Sequence, residues 1–419
     1  MNSVAHEPWF SEKPLKRVME LLNTDGGEGR VAGGAVRNSL MGLPVSDIDI
    51  ATTLVPTEVV ARAERAGIKA VPTGIDHGTV TLVIDGKPFE VTTLRRDVAT
   101  DGRRAEVAFG TDWQTDAERR DLTINALYAR QDGTIIDLVD GLADIETRTV
   151  RFIGDASKRI AEDYLRILRF FRFFAHYGAG RPDAEGLKAC ARAKEKLATL
   201  SAERVWSELR KLLAARDPGR ALLWMRQSGV LTQVLPETEK WGIDAVPALV
   251  ATEGAFDWAP DPLLRLAAIV PPDRERIKQM SARLKMSRNE EKFFDQWAAA
   301  PEVLAKTADL VFDRMLYRHG PQGLVTRLRL ALAQARGKAE GDAEALASAG
   351  AYQRLLKRAQ QWQKPSFPLN GADVLAAGAT PGPQVGEWLA KLEEHWVDGN
   401  FKEGRESLLA RLQEIRNAP

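Results

Sequence analysis

Asp47 and Asp49 stand two residues apart, shortly after a Gly33-Gly34 pair and Arg37, in Val31-Ala-Gly-Gly-Ala-Val-Arg-Asn-Ser-Leu-Met-Gly-Leu-Pro-Val-Ser-Asp-Ile-Asp-Ile-Ala-Thr. Side chains alternate across a strand, so Asp-x-Asp on a strand presents both carboxylates from one face. Like charges held there repel. Divalent cations cancel that cost, and two ions ~3.5–4 Å apart clamp the attacking and leaving oxygens of a phosphoryl transfer. Mg²⁺ suits such a site, being held by few carboxylates together with waters and substrate phosphates. Gly33-Gly34 reads as the end of a strand, with a helix starting at about Ala35, and lets a phosphate meet free backbone N–H groups. Arg37, one turn in, adds a charged fork for the same phosphates. Alone, a Gly-Gly is a tight turn and an Asp-x-Asp a solvated strand face; at this spacing, with Arg37, they point to phosphoryl transfer. Glu90, in Pro88-Phe-Glu-Val-Thr-Thr-Leu-Arg, lies mid-strand between apolar neighbours. It reads equally as a third carboxylate of the site or as an exposed edge-strand glutamate.

A second constellation lies in Glu162-Asp-Tyr-Leu-Arg-Ile-Leu-Arg-Phe-Phe-Arg-Phe-Phe174, where Asp163, Arg166, Arg169 and Arg172 recur every third residue. Residues three apart neighbour one another on a helix, so these four form one spiralling stripe. The remaining Tyr, Leu, Ile and Phe side chains must be buried, which forces the stripe into a cleft. Three arginines with only Asp163 beside them call for anions, a triphosphate or RNA phosphate. Asp163 and Arg166 also match the pairing edges of cytosine and adenine, which set an amino donor beside a ring-nitrogen acceptor. Uracil and guanine reverse that order and would meet repulsion. Asp121 and Asn125, at i and i+4 after Arg120, share a face of a predicted N-capped helix. Arg204 and Glu208 are spaced to pair along one helix, in a structural role.

The elements that must position these residues divide the chain. Up to about residue 150, β-like runs at Gly29–Ala32, Ile48–Thr52, Val80–Ile84, Phe89–Leu94, Val107–Phe109 and Ile135–Val139 alternate with turns and helical patterns. This part reads as α/β or α+β. From about Gly154 the pattern is helix after helix, punctuated by Pro and Gly. At 419 residues the chain needs more than one core. A net charge of +1 means that any RNA-binding charge must be gathered locally. The single cysteine, Cys190, excludes intrachain disulfides and Cys-rich zinc sites, and five scattered histidines offer no metal-dependent phosphohydrolase cluster. The N-terminus lacks a signal-peptide pattern, and no apolar run approaches the about eighteen residues of a membrane span. A reducing cytoplasm fits these features, and no membrane partner is expected.

Gly33, Gly34, Val36, Arg37, Asp47 and Asp49 together resemble the opening motif of the class II tRNA nucleotidyltransferase and bacterial poly(A) polymerase family, within the DNA polymerase β superfamily. Asn38 stands where that motif has Asp; it keeps hydrogen-bonding capacity and loses charge. Arg119-Arg-Asp121 and Glu162-Asp-x-x-Arg166 resemble further motifs of the family. Asp137-x-x-x-Gly141-x-x-Asp144 resembles its hinge, with Gly141 as the flexible point. Ser201 to Leu213 resembles the motif after the base-reading helix, and Pro368 to Gly386 the tail.

The resemblance implies an α+β architecture with a polymerase β-like head (1–147), then a helical neck (148–225), body (226–365) and tRNA-binding tail (366–419). It implies Mg²⁺ at Asp47 and Asp49, with Glu90 as the third catalytic candidate. Gly33, Gly34, Arg37, Arg120, Asp121, Asn125, Asp163, Arg166, Arg169 and Arg172 would hold the nucleotide. The implied reaction is template-independent addition of CCA to the 3′ end of tRNA from CTP and ATP. The alternatives are a poly(A) polymerase using ATP only and a non-catalytic RNA-binding module on the same fold. Arg95 to Trp113 lacks clear periodicity and sits where CCA-adding enzymes carry a mobile loop needed for the final A.

Overall fold

The computed structural model describes residues 3–75, 78–101, 104–239 and 242–417, which fall into two compact units, Met1–Pro236 and Glu237–Pro419. The first unit begins with α1 (Lys13–Leu22), β1 (Gly29–Ala32), α2 (Gly34–Leu40) and β2 (Asp49–Thr52). It continues through α3 (Pro56–Arg65), β3 (Lys69–Gly74), β4 (Thr79–Ile84) and β5 (Lys87–Thr93). Next come β6 (Arg95–Asp101), β7 (Arg104–Phe109), α4 (Trp113–Glu118), β8 (Leu127–Ala129), β9 (Ile135–Asp137) and α5 (Gly141–Glu146). Helices follow: α6 (Ala156–Glu162), α7 (Leu165–Tyr177), α8 (Ala184–Ala193), α9 (Ala202–Leu213), α10 (Gly219–Gln227) and α11 (Val230–Val234).

Among the described residues the strands build a seven-stranded sheet in the order β3-β4-β5-β2-β1-β8-β9, with β6 and β7 as a separate ribbon. β2 and β5 run parallel, and every other pairing in the sheet is antiparallel. Central β1, Gly-Arg-Val-Ala, is buried along its whole length, and β2 is buried after its first residue. That first residue is Asp49, in direct register with Glu90 on β5 and Ala32 on β1. The mixed sheet followed by helices is the α+β architecture that the sequence implies.

Several local expectations are corrected. β2 starts at Asp49, so Asp47 precedes the strand instead of sharing it. Asp121 and Asn125 do not lie on a helix: α4 ends at Glu118, Leu122 is extended and bridges to Phe152, and Thr123–Asn125 is a single 3-10 turn. Thr123 and Ile124 inside that turn are buried, and packing overrides the helical spacing. The two side chains still meet, with Asn125 Nδ2 donating to Asp121 Oδ1 at 3.2 Å. Arg95 to Phe109 pairs as the β6–β7 ribbon instead of an irregular loop; residues 102–103 lie outside the described set. Gly141 opens α5, where a Cβ would stand 2.5 Å from the Thr123 carbonyl oxygen. Close packing, more than flexibility, requires glycine there.

α7 carries its apolar residues Leu165, Ile167, Leu168, Phe170, Phe171, Phe173 and Phe174 into the core, as the stripe argument demands. Asp163, however, is the extended residue between α6 and α7. Its Oδ1 accepts from Leu165 N at 3.0 Å, so it starts α7 instead of lying on it.

Every regular element among the described residues of the second unit is a helix. One core gathers around Phe312, Leu316, Leu324, Leu328, Leu332 and Leu355, another around Leu392, Trp396, Leu408 and Leu412. Arg265 and Glu253 form a fully buried pair, Nη2 to Oε2 at 2.7 Å. Among the described residues no helix is long and apolar enough to cross a membrane.

Candidate active site

The floor is the start of β2. Asp49 and Glu90 are side-by-side partners on parallel strands, and both are exposed. Asp47 is also exposed, on the segment leading into β2, with Ser46 Oγ donating to its Oδ2 at 2.9 Å. Partial desolvation, then Glu90 and Asp47, push the Asp49 carboxyl above its ordinary value, and Arg120 acts against them. This carboxylate cluster repels itself, which is the electrostatic condition a cation relieves. Among the described residues no three metal-ligating side chains close into a preformed cage. An open, all-oxygen set fits a hard cation that keeps waters and takes its remaining ligands from substrate phosphates. The register sets Glu90 beside Asp49 on a strand inside the sheet, not at its edge.

One wall is built at the β1–α2 junction. Gly33 has φ +65°, and a Cβ there would lie 3.1 Å from the Asn125 carbonyl oxygen, so glycine is required twice over. Arg120 is braced beside it. Its Nε donates to Tyr128 Oη at 3.1 Å, Nη1 to Asn125 O at 3.3 Å and Nη2 to Asp116 Oδ2 at 3.2 Å. Asp116 also takes Arg119, so the consecutive arginines share one buried carboxylate.

Arg37 differs from expectation. It is buried, and its guanidinium is engaged by neutral groups: Nε and Nη2 donate to Asn38 Oδ1 at 3.2 and 2.9 Å. Nη1 donates to Asn125 Oδ1 at 2.5 Å and Nη2 also to Tyr177 Oη at 2.8 Å. The fork expected to grip phosphate is spent on the protein, so Arg37 contributes its charge and one remaining N–H. Burial, with Arg172 nearby, lowers its pKa, and Tyr177 and Asp121 act the other way.

From Arg37 a continuous chain runs to α7. Asn125 donates to Asp121 Oδ1 at 3.2 Å, and Arg169 Nε donates to Asp121 Oδ2 at 2.6 Å. Burial opposes ionisation of Asp121, but the Arg169 charge and hydrogen bond hold its carboxyl below the ordinary value. Arg172 faces Glu208 as an ion pair at 2.9 Å. Arg37, Arg172, Phe173, His176, Tyr177 and Lys211 line a cavity of about 280 Å³. A larger cavity, about 940 Å³, sits within the second unit and contains no sequence-predicted site residue.

The arginine stripe is therefore less starved of anions than the sequence suggests. Arg166 pairs with Glu162, Arg169 with Asp121 and Arg172 with Glu208. Asp163 takes Arg204, Nη2 to Oδ2 at 2.7 Å, so Arg204 and Glu208 do not pair with each other. Asp121 and Glu208 come from other elements, which is why the spacing on α7 could not reveal them. The Glu162–Arg166 pair spans the break between α6 and α7 at Asp163, so helical spacing is not what brings the two together. Asp116 carries an i,i+3 and i,i+4 signal towards Arg119 and Arg120, whereas Tyr177 gives no local signal of its contact with Arg37.

The base-reading candidates stay usable within these contacts. Each Asp163 oxygen accepts one bond and retains a lone pair. Arg166 spends Nη1 on Glu162 and Arg159 O and one Nη2 hydrogen on Arg119 O, leaving Nε and the other Nη2 hydrogen.

The family model described as "Poly A polymerase head domain" matches residues 29–151. "Probable RNA and SrmB-binding site of polymerase A" matches 181–241, and a tRNA nucleotidyltransferase domain 2 model matches 265–412. The mitochondrial CCA tRNA nucleotidyltransferase 1 of Mus musculus is 36% identical over 95% of this chain and 89% of its own length. A CCA-adding enzyme of Levilactobacillus brevis is 30% identical over 94% of this chain and 95% of its own. The crystal structure of the Bacillus stearothermophilus CCA-adding enzyme in complex with CTP superposes with a TM-score of 0.73 at 27% identity, covering 97% of this chain and 98% of that one.

Proposed function

This chain belongs to the CCA tRNA nucleotidyltransferase family, and from that premise we propose how its residues carry the reaction. CMP and then AMP are joined to the 3′ end of tRNA without a nucleic-acid template. The RNA 3′-hydroxyl forms a bond to the α-phosphorus of CTP or ATP, and the bond to the departing pyrophosphate breaks. Asp47 and Asp49 would hold the divalent cations of the site, two Mg²⁺ ions, with Glu90 beside them as a third candidate carboxylate. When bound, these supply charge neutralisation at the attacking and leaving oxygens.

The chain's own groups do the rest. Gly33 and Gly34 admit the triphosphate close to the backbone, and Arg120 and Arg37 supply positive charge to it. Arg169 and Arg172 meet their carboxylates through Nε, which leaves their Nη ends for phosphate. Asp163 accepts from the amino group of cytosine or adenine, and Arg166 donates to the adjacent ring nitrogen. Asp121 and Asn125 act chiefly by linking Arg37 to Arg169. A functional division into head (1–147), neck (148–225), body (226–365) and tail (366–419) accompanies this reading, with the tail contacting tRNA.

The observation that carries the proposal is the register of Asp49 with Glu90, beside Asp47 and within the electrostatic reach of Arg120. The test supplies the purified protein with tRNA lacking its 3′ end, Mg²⁺ and each labelled nucleotide in turn. Successive addition of C, C and A supports the proposal. Extension of any RNA with ATP alone would make the chain a poly(A) polymerase, and no incorporation would leave only a binding module.

A further inference from the structure

Asp116, in the last turn of α4, is 1% exposed and has both carboxylate oxygens engaged. Arg119 donates to Oδ1 through Nε at 2.9 Å and Nη2 at 2.7 Å. Oδ2 accepts from Arg120 Nε at 3.3 Å and Nη2 at 3.2 Å, and from Tyr128 Oη at 2.8 Å. Burial opposes ionisation of this carboxyl, but the two guanidinium charges hold it below the ordinary value. Among the described residues no other carboxylate pairs with either arginine, so the cluster keeps one surplus positive charge. A buried ion pair is weak evidence for stability, and this one is better explained by where its arginines lead.

Both lead into the site. Arg120 Nη1 stands 3.5 Å from where a Cβ on Gly33 would lie, and its charge reaches Asp49. The Arg119 carbonyl oxygen accepts from Nη2 of Arg166, the base-reading candidate, at 3.3 Å. One buried carboxylate thus braces the phosphate wall with one oxygen and the support of the base reader with the other.

We propose that Asp116 is a positioning residue for nucleotidyl transfer with two separable arms. Its Oδ2 aims Arg120 at the triphosphate and keeps it off Asp49, and its Oδ1 sets the orientation of Arg166 through Arg119. This rests on the transfer reading above. An Arg120 released from Asp116 has Asp49 as the carboxylate within its electrostatic reach and competes there with the cation. An Arg119 released from Asp116 lets its backbone carbonyl, and Arg166 with it, move relative to the base.

The test uses the full chain as wild type, Tyr128→Phe, Arg119→Met and Asp116→Asn. It measures CMP and UMP incorporation into tRNA lacking its 3′ end, the CTP KM, the half-activating Mg²⁺ concentration and the melting temperature. Tyr128→Phe loosens only the Oδ2 arm. Its CTP KM and Mg²⁺ requirement should rise by about fivefold, the weight of one hydrogen bond, with the preference for CTP over UTP unchanged. Arg119→Met loosens only the Oδ1 arm, so that preference should fall by about fivefold while the Mg²⁺ requirement stays. Asp116→Asn should move both readouts and lower kcat/KM for CTP by about tenfold or more. If Asp116→Asn does not fold, the two one-armed variants decide alone. A role in packing only would lower activity in step with melting temperature and leave selectivity and Mg²⁺ requirement untouched; that result overturns the inference. So does a Tyr128→Phe and Arg119→Met pair in which the two readouts do not separate. An inactive wild type would instead overturn the transfer reading, and this inference with it.

Discussion

Replacing Glu90 with glutamine should make the metal-free protein more stable and the enzyme far less active. Asp49 and Glu90 are direct partners on neighbouring parallel strands, which places their Cα atoms about 4.8 Å apart. Two unit charges ~5 Å apart repel by about 0.8 kcal/mol in water and about 3 kcal/mol at an effective dielectric of 20. Both side chains are exposed, so the low end applies, roughly 1 kcal/mol. For a unit the size of Met1–Pro236, that corresponds to a rise in melting temperature of roughly 2–4 °C. The pH dependence has a definite sign. Desolvation and Glu90 raise the Asp49 pKa, so the folded chain takes up that proton more readily than the unfolded one. The repulsive penalty is thus absent in acid and grows as pH rises through the raised value. The stability difference between Glu90→Gln and wild type should be largest near neutral pH and vanish in acid. Mg²⁺ should stabilise wild type more than the variant, and CMP incorporation by the variant should fall by about a hundredfold or more if Glu90 holds metal, a loss of about 2.7 kcal/mol in transition-state stabilisation. Thermal melts in chelator and in Mg²⁺, with incorporation rates, check each arm. A Glu90→Gln protein that melts lower without metal, or that keeps wild-type rate and Mg²⁺ response, would refute the reasoning.

Other consequences follow from the contacts around the site. Arg204→Met should release Asp163 Oδ2 and lower the preference for CTP over UTP, read from kcat/KM for each, with little change in melting temperature because the pair is half-exposed. Asp121 is held below the ordinary carboxylate value, so its contribution is present at neutral pH and lost as pH falls through the folded value. Asp121→Asn should accordingly be less stable near pH 7 and converge with wild type in strong acid, measured by urea melts across pH. In the second unit, Glu253→Ala leaves the Arg265 charge buried without its carboxylate; about 3–5 kcal/mol should be lost, visible as a fall in the urea midpoint.

How much of this could be read from the chain depended on how local each contact is. Asp47, Asp49, Gly33 and Arg37 announced themselves by spacing, and the apolar ring of α7 forced its arginines towards a cleft. Asp116 to Arg120 was within reach of the i,i+4 rule. The partners of Arg169, Arg172 and Asp163 were not, because Asp121, Glu208 and Arg204 arrive from remote elements and only the fold brings them together. The same limit explains the helix expected at Asp121 and Asn125. Asp121 and Asn125 do meet, but across a 3-10 turn whose buried Thr123 and Ile124 answer to packing instead of helical periodicity. The Asp49–Glu90 register is likewise a property of sheet order, since β5 joins β2 across two intervening strands.

The central claim is that Asp163 and Arg166 choose the base, and incorporation of each of the four nucleotides by wild type and Asp163→Ala tests it most directly. The account predicts that the variant still binds tRNA while UTP and GTP incorporation rises relative to CTP and ATP. Unchanged selectivity in an active variant would contradict it.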